Sequence, residues 1–578
     1  MKRSMSKILT LAIAATMVIS LVGCTSKSST KTSDTISKKE ILKLDVFSST
    51  ANYAGAQTGW FAKYIKDKFN IELNIIAPNL QGGDAKYATQ MASGNMGDIV
   101  IMGYDNKYQN AVKAGLLLDL TKNDLINKYG KDIVTNYSKT FEKNKDQNKT
   151  FGLDATKLYG IGNTVSTMPA TTSSDGNDLG WGPYLRWDLY SKADSPTLNT
   201  MEDYLPLLQK MQKLQPKSDS GKPTYAFSMW GDWDGNMMMN AKQFACMEGY
   251  DESGFLLVSG NEDKYQDILD PNGYYLKTLK LYNDANKLGL VDPDSISQKF
   301  DNASAKMKDG QILFSWFSWF KDQYNSQDRV NAGKGFAVVP YKAEKVLTYG
   351  FSNYGDKTII GIGSKTKEPE RVMEFINWLY TPEGVMVNNY GPKGLAWDVK
   401  DGKPYETDFG KKVLATNSDD IQVPAEYGTG SWKAGNDAMN YVPVNFNSIN
   451  PDFNEPYFYG LWKSTLADSP SQLDQDWRKA MAVTTPKEYF VKNKMITVSP
   501  VTLFAPASPD STLQQKQDQI KAIIKQNSWK MIFAKDDAQY DALLKEMTTK
   551  AKGLGYDEVN KFYITQAEKT FAARKAAK

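Results

Sequence analysis

The chain carries 13 tryptophans, 32 tyrosines and 24 phenylalanines among 578 residues, and no histidine. That absence removes Ser-His-Asp and Cys-His nucleophile pairs, His-ligated zinc and imidazole acid-base work. Catalysis would have to rest on carboxylate pairs, lysine, tyrosine or a bound group, and 66 acidic residues always offer some carboxylate pair. The composition points toward recognition before catalysis. Its densest candidate is Met229-Trp-Gly-Asp-Trp-Asp-Gly235, where indoles alternate with carboxylates in a glycine-bounded loop. A second aromatic run is Phe314-Ser-Trp-Phe-Ser-Trp-Phe320. Flat rings beside hydrogen-bonding groups suit a ligand with apolar faces and polar edges.

The N-terminus has to be set apart before the elements are sought. Lys2, Arg3 and Lys7 precede an apolar run from Ile8 to Val22, 15 residues long. A bilayer-crossing helix needs about 20. The run ends in Leu21-Val22-Gly23-Cys24, which resembles the lipobox of bacterial lipoproteins. Residues 1–23 are therefore expected to be a lipoprotein signal peptide, with Cys24 the lipidated residue. The Ser/Thr/Lys-rich stretch 24–41 is expected to be a flexible tether, placing the protein on the outer face of the cytoplasmic membrane with the lipid as its only membrane contact. With Cys24 acylated, Cys246 has no partner for a disulfide. Losing Lys2, Arg3 and Lys7 takes the formal charge from +4 to about +1. A nearly neutral chain with no basic block is not expected to bind nucleic acid.

Beyond the tether, the elements needed to position the aromatic runs are α/β. Leu42, Leu44 and Val46 alternate as a strand; Trp60, Phe61, Tyr64 and Ile65 follow helical spacing; Ile71, Leu73 and Ile75 alternate again. Ile99-Val-Ile-Met102 reads as a strand buried on both faces. Open parallel sheets place ligands beyond the carboxyl ends of their strands, which puts Ser48 to Tyr53 and Gly103 to Asn106 at the mouth of a site. Thr200-Met-Glu-Asp203 reads as a capping box, Gly335–Val339 and Thr358–Ile362 as strands, and Pro369 as a helix start. The last 70 residues read as helical, including Leu513–Asn527 and Asp537–Lys552.

The order of several segments resembles the extracellular solute-binding proteins (family 1 type) of bacterial ABC sugar importers, in particular the long oligosaccharide-binding lipoprotein branch of Gram-positive bacteria. The segments are Asp98-Ile-Val-Ile-Met102 with Ala114-Gly-Leu-Leu-Leu-Asp-Leu-Thr121, Leu158-Tyr-Gly-Ile-Gly162, Leu185-Arg-Trp-Asp188 with Pro196–Tyr204, Phe375–Gly384, Asn389-Tyr-Gly-Pro-Lys-Gly394 and Leu554–Val559. The resemblance runs from about residue 42 to the end. It implies an α/β, two-lobed periplasmic-binding-protein-like fold with interleaved lobes and a helical C-terminal region. The expected division is 42–160 for lobe 1, 161–330 for lobe 2, 331–400 for a return to lobe 1, and 401–578 for completion of lobe 2 with the C-terminal helices. It also implies a monomeric receptor, not an enzyme, that carries an oligosaccharide to ABC permease subunits and needs no cofactor. A two-carboxylate surface glycosidase and an adhesive or sensor-coupled lipoprotein are the rivals. Some relatives of this type carry an aspartate-rich calcium loop; here the matching Lys217-Ser-Asp-Ser-Gly-Lys222 has one carboxylate, so no metal is expected.

A sugar packs its C–H faces on aromatic rings and offers hydroxyls that donate and accept. On that basis the expected ligand-binding residues are Trp230, Asp232 and Trp233 in the first aromatic run, and Trp316 ahead of Trp319 in the second. Tyr354, Trp397 and the loop tryptophan Trp432 are further candidates, with Tyr53 and Asp105 from their strand-end positions. Asp105 also reads as a helix cap. With no imidazole, binding is expected to change little between roughly pH 6 and 8.

Overall fold

Leu42–Ser48 and Ile71–Ile76 lie side by side as parallel strands, with Leu44 opposite Leu73 and Val46 opposite Ile75. The helix between them, Gly59–Phe69, buries Trp60, Phe61 and Ile65 against the sheet. Ile99–Gly103 pairs in parallel on the other side of the first strand and is covered on both faces, as its unbroken apolar run requires. The chain returns much later to add Thr358–Ile362 antiparallel beside it, with the short strand Ile161–Gly162 beyond. The structure, a computed structural model, describes residues 40–416, 421–468 and 470–577. Cys24, the signal segment and nearly all of the tether lie outside the described residues.

A second core forms around Trp181–Arg186, which takes Phe314–Phe317 on one side and Phe336–Val338 on the other, both antiparallel. Helix Tyr204–Leu214 packs on it behind the Thr200/Asp203 capping box. Helices Met239–Met247 and Tyr274–Lys287 bury nearly continuous apolar faces there. The C-terminal helices Ser511–Ile532 and Asp537–Gly553 close the same core through Ile520, Ile524, Met531 and Met547. The buried Asn283 amide donates to the carbonyls of Met531 (3.0 Å) and Ala534 (2.9 Å), satisfying the end of the long helix.

Two buried cores from one interleaved chain make the two-lobed α/β fold. The first core draws on residues up to Val165 and again from Ile360 to Trp462; the second draws on Leu179 to Val346 and on Leu473 to Val559. This differs from the expected division in two places. Phe336, Val338 and Tyr341 bury in the second core, because strand Phe336–Val338 pairs with Trp181–Arg186. Val413, Trp432, Met439, Tyr441 and Trp462 bury in the first core, where the described part of 401–462 holds helix Asp408–Thr416 and otherwise only short strands and turns, with little periodicity to reveal its side.

Three stretches of chain pass between the cores, near 166–178, 347–358 and 463–472. The first two meet at a bridge between Ser173 and Gly350. A side chain at position 350 would place its Cβ 1.6 Å from the carbonyl oxygen of Ala170, so only glycine permits that approach. Asn177 donates to the carbonyl of Gly460 (2.8 Å), tying the first crossing to the first-core chain just ahead of the third. Among the described residues no helix is long and apolar enough to cross a membrane.

Candidate functional site

The first core offers a cavity of ≈ 380 Å³ beside the crossings, lined by Thr50, Asn163, Asn440, Tyr441, Asn445 and Phe446 among others. No charged residue lines it. Its wall is stitched from two distant parts of the chain: Ser48 Oγ donates to the Met439 carbonyl (2.8 Å), and the Asn440 amide donates to the Thr50 carbonyl (2.7 Å). Asn163 Oδ1 accepts from the Thr358 N–H (3.2 Å), and the Asn447 amide donates to the Ser174 carbonyl (2.7 Å), so the cavity touches a crossing. Thr164 and Asn440 both hold positive φ, 54° and 52°. Left-handed backbone at a β-branched threonine is costly and is typical of chain held in place for a site.

A second cavity, ≈ 290 Å³, opens at the carboxyl ends of the parallel strands and is lined by Ser49, Asn79, Asp84, Tyr87, Asp105 and Lys107 among others. This is where the connections leave the first strand in opposite directions, the place where open α/β sheets bind ligands. Asp105 is exposed and acts as the cap: its Oδ1 accepts from the N–H groups of Lys107 (2.8 Å) and Tyr108 (3.2 Å). The Lys107 ammonium bonds Asp84 (2.6 Å), which holds that carboxyl below its usual range.

On the second core the two aromatic runs meet. Trp233 stacks on Phe300 at 4.4 Å and 26°, Trp319 stacks on Phe317 at 4.9 Å and 25°, and the two indoles lie 5.8 Å apart. Trp233 is 45% exposed and Trp319 41%. Asp232 is exposed and both its oxygens accept from the Phe300 N–H (3.1 and 3.4 Å), fixing the start of helix Phe300–Lys308 under Trp233. Phe317 pairs with Trp181, whose ring meets Tyr349 on a crossing. The amide-rich cavity therefore borders the crossings, while the shelf connects to one through Phe317 and Trp181.

Four expected site residues are corrected by burial. Trp230 and Trp316 are wholly buried in the second core, 6.3 Å apart and edge to face. In the second run the order reverses: the strand Phe314–Phe317 turns Trp316 inward, and the helix start after it turns Trp319 out. Trp397 is buried and donates to the Gly391 carbonyl (2.8 Å). Trp432 stacks on Trp60 at 5.0 Å and 15° instead of riding a mobile loop. Tyr53 is exposed at the strand end, and Tyr354 is half-buried on the second crossing with the Lys139 ammonium 5.7 Å from its ring. The sequence reading missed Phe300 and the amides Asn163, Asn440, Asn445 and Asn447; the only signal was the local richness of Asn440-Tyr-Val-Pro-Val-Asn-Phe-Asn447. Replacing Trp230 by phenylalanine is expected to lower stability by about 1–2 kcal/mol in urea unfolding and to leave ligand binding within about twofold. A large binding loss would return Trp230 to the site.

The residues of the Lys217–Lys222 loop are engaged within the protein. Ser218 and Ser220 hydroxyls each donate to Asp309 Oδ2 (2.7 Å), and Asp219 pairs with Arg329. Among the described residues no cluster of three or more histidine, cysteine or carboxylate side chains is placed to hold a metal ion.

Residues 59–392 match the family model of the bacterial extracellular solute-binding proteins, which is more than half of the chain. The chain belongs to that family. No curated protein matches it by sequence. Two solved structures share the fold of this solute-binding protein. One is the ABC-transporter substrate-binding protein FusA of S. pneumoniae in complex with kestose: 16% identity, 93% of this chain and 100% of that one, TM-score 0.52. The other is the N-glycan transport solute-binding protein NgtS of Streptococcus pneumoniae: 16% identity, 92% of this chain and 99% of that one, TM-score 0.51. Such identities speak for the fold alone. As a member of this family the chain is an extracellular binding protein and not an enzyme.

Proposed function

We propose that this solute-binding protein takes an oligosaccharide between its two lobes and delivers it to an ABC permease, held at the membrane by a lipid on Cys24. It works as a monomer with the crossings as its hinge. The exposed faces of Trp233 and Trp319 carry the proposal. In a chain that buries Trp60, Trp230, Trp316 and Trp462 completely, two adjacent indoles left open are expected to meet a ligand. In the first core, a charge-free wall of threonines, asparagines and a phenylalanine offers donors and acceptors for hydroxyls and an apolar face for a ring. A ligand that touches both lobes favours the closed arrangement by its differential affinity. The sugars named for FusA and NgtS agree with this class of ligand.

The test is calorimetric titration of the mature protein with kestose and with neutral mannose, xylose and glucose oligomers, followed by chromatography of each sugar after incubation. Saturable binding of at least one intact sugar is expected, with no cleavage. Heats indistinguishable from dilution across the panel, or cleavage products, would overturn the proposal.

A further inference from the structure

The loop that carries Trp233 is fastened to the far C-terminal part of the chain. Asp234 Oδ1 accepts from the N–H of Met239 (2.8 Å), and its Oδ2 accepts from the indole N–H of Trp529 (2.8 Å) on helix Ser511–Ile532. Two residues on, Asn236 Oδ1 accepts from the amide of Gln517 (2.7 Å), on the same helix. The Asn236 backbone and side-chain N–H groups donate to Glu252 Oε1 (2.9 and 3.0 Å). On the other side of Trp233, a Cβ at Gly231 would lie 3.4 Å from Trp529 Nε1, so the loop rests directly on that indole. Residues before and after Trp233 thus bear on one helix surface, some 290 positions away in the chain.

We propose that Trp529 is a positioning residue of the sugar-binding shelf: its indole N–H, acting through Asp234, sets the angle that Trp233 presents to the ligand. This rests on the oligosaccharide reading of the shelf. The physical basis is the Asp234 carboxyl, which is largely out of water. Burial raises its pKa, while the Trp529 and Met239 donors work the other way. Lys525 and Glu252, of opposite sign, are the other charged groups that act on it. If the Trp529 N–H is removed, one buried carboxyl oxygen has no donor. Its easiest relief is to turn toward water, and the loop between Gly231 and Gly235 can follow, carrying Trp233 off Phe300.

A double-mutant cycle on the full mature chain separates positioning from packing. Trp529→Phe keeps an aromatic ring but loses the five-membered half of the indole with its N–H; Asp234→Asn removes the charge that needs that donor. Two readouts are taken: calorimetric affinity for the tightest-binding sugar of the panel, kestose being the first tried, and the exciton couplet in circular dichroism from the edge-to-face Trp230–Trp233 pair, 5.5 Å apart. Trp529→Phe is expected to weaken affinity roughly tenfold and to diminish the couplet. Made in the Asp234→Asn background, the same change is expected to have an effect of at most about twofold. An unchanged couplet in Trp529→Phe, or equal losses in both backgrounds, would overturn the proposal. If no sugar binds even the parent chain, the oligosaccharide reading fails, and the couplet alone decides whether Trp529 holds the loop.

Discussion

Replacing Trp233 and Trp319 together by alanine is expected to reduce sugar affinity by roughly 10²- to 10³-fold while the protein stays folded. Each indole face presented to a bound ring contributes about 2 kcal/mol when it acts as an interface anchor. The two lie 5.8 Å apart, so their effects are expected to be coupled and the double loss to fall short of the sum. Stability responds differently. Both side chains are more than two-fifths exposed, and each gives up mainly one stacked contact, on Phe300 or Phe317. A loss of about 1 kcal/mol per site is expected, against about 3–5 kcal/mol for truncating a buried tryptophan to alanine. Calorimetric titration and urea unfolding of the single and double variants separate the two quantities. Near-parental affinity in the double variant would mean that the shelf faces away from the ligand. Trp230→Phe is the companion control: it lies buried under the same loop and keeps an aromatic ring against Trp233.

The sequence made the scaffold legible where periodicity does the work. Leu42, Leu44 and Val46, the run Ile99–Met102, the Thr200 capping box and Pro369 each specify a local geometry, and the elements formed there. Burial of the tryptophans was not legible, because an indole satisfies a core or a binding face equally well. Trp316 and Trp319 show the difficulty: three residues apart, they part company only because a strand ends and a helix begins at Ser318. Trp432 misled for another reason. Its glycine-rich surroundings suggest a loop in motion, yet Gly435 is there so the chain can pass against Trp60, where a Cβ would come within 2.6 Å of the ring. The amide-rich cavity was hidden because it joins residues near 50, 163, 358 and 440 that share no pattern. The switch-point rule did point to its neighbour at the strand ends.

Despite the absence of histidine, stability is expected to respond to pH near neutrality through one buried carboxyl. Asp437 is buried at the turn leading into Asn440 and Tyr441, and burial pushes its carboxyl up to about 7 despite N–H donors from the turn, Met439 among them at 3.0 Å. Its Oδ2 is buried without a hydrogen-bond partner. The neighbouring residues that bond this turn, Asn52 and Gln57, are neutral. In the unfolded chain the group titrates near 4. Between about pH 4 and 7 the folded protein therefore holds a proton that the unfolded chain has lost, and stability falls as pH rises through that window, then levels off above it. The accumulated loss at pH 8 is about 4 kcal/mol. Asp437→Asn mimics the protonated side chain: its oxygen can still accept from Met439, and its amide replaces the unpartnered oxygen. The variant is expected to match the parent within about 1 kcal/mol near pH 5 and to exceed it by several kcal/mol at pH 8. Glu344, buried with both oxygens unpartnered, tilts the parent's profile in the same direction, so the quantity to follow is the difference between variant and parent. Urea unfolding at pH 5, 6, 7 and 8 measures it, and a difference that stays constant across the series would show that Asp437 keeps an ordinary carboxyl in the fold. Because Asn440 and Tyr441 line the cavity, the proton on Asp437 lies three residues along the chain from the cavity wall. Any fall in sugar affinity of the parent between pH 6 and 8 is accordingly expected to be absent in Asp437→Asn.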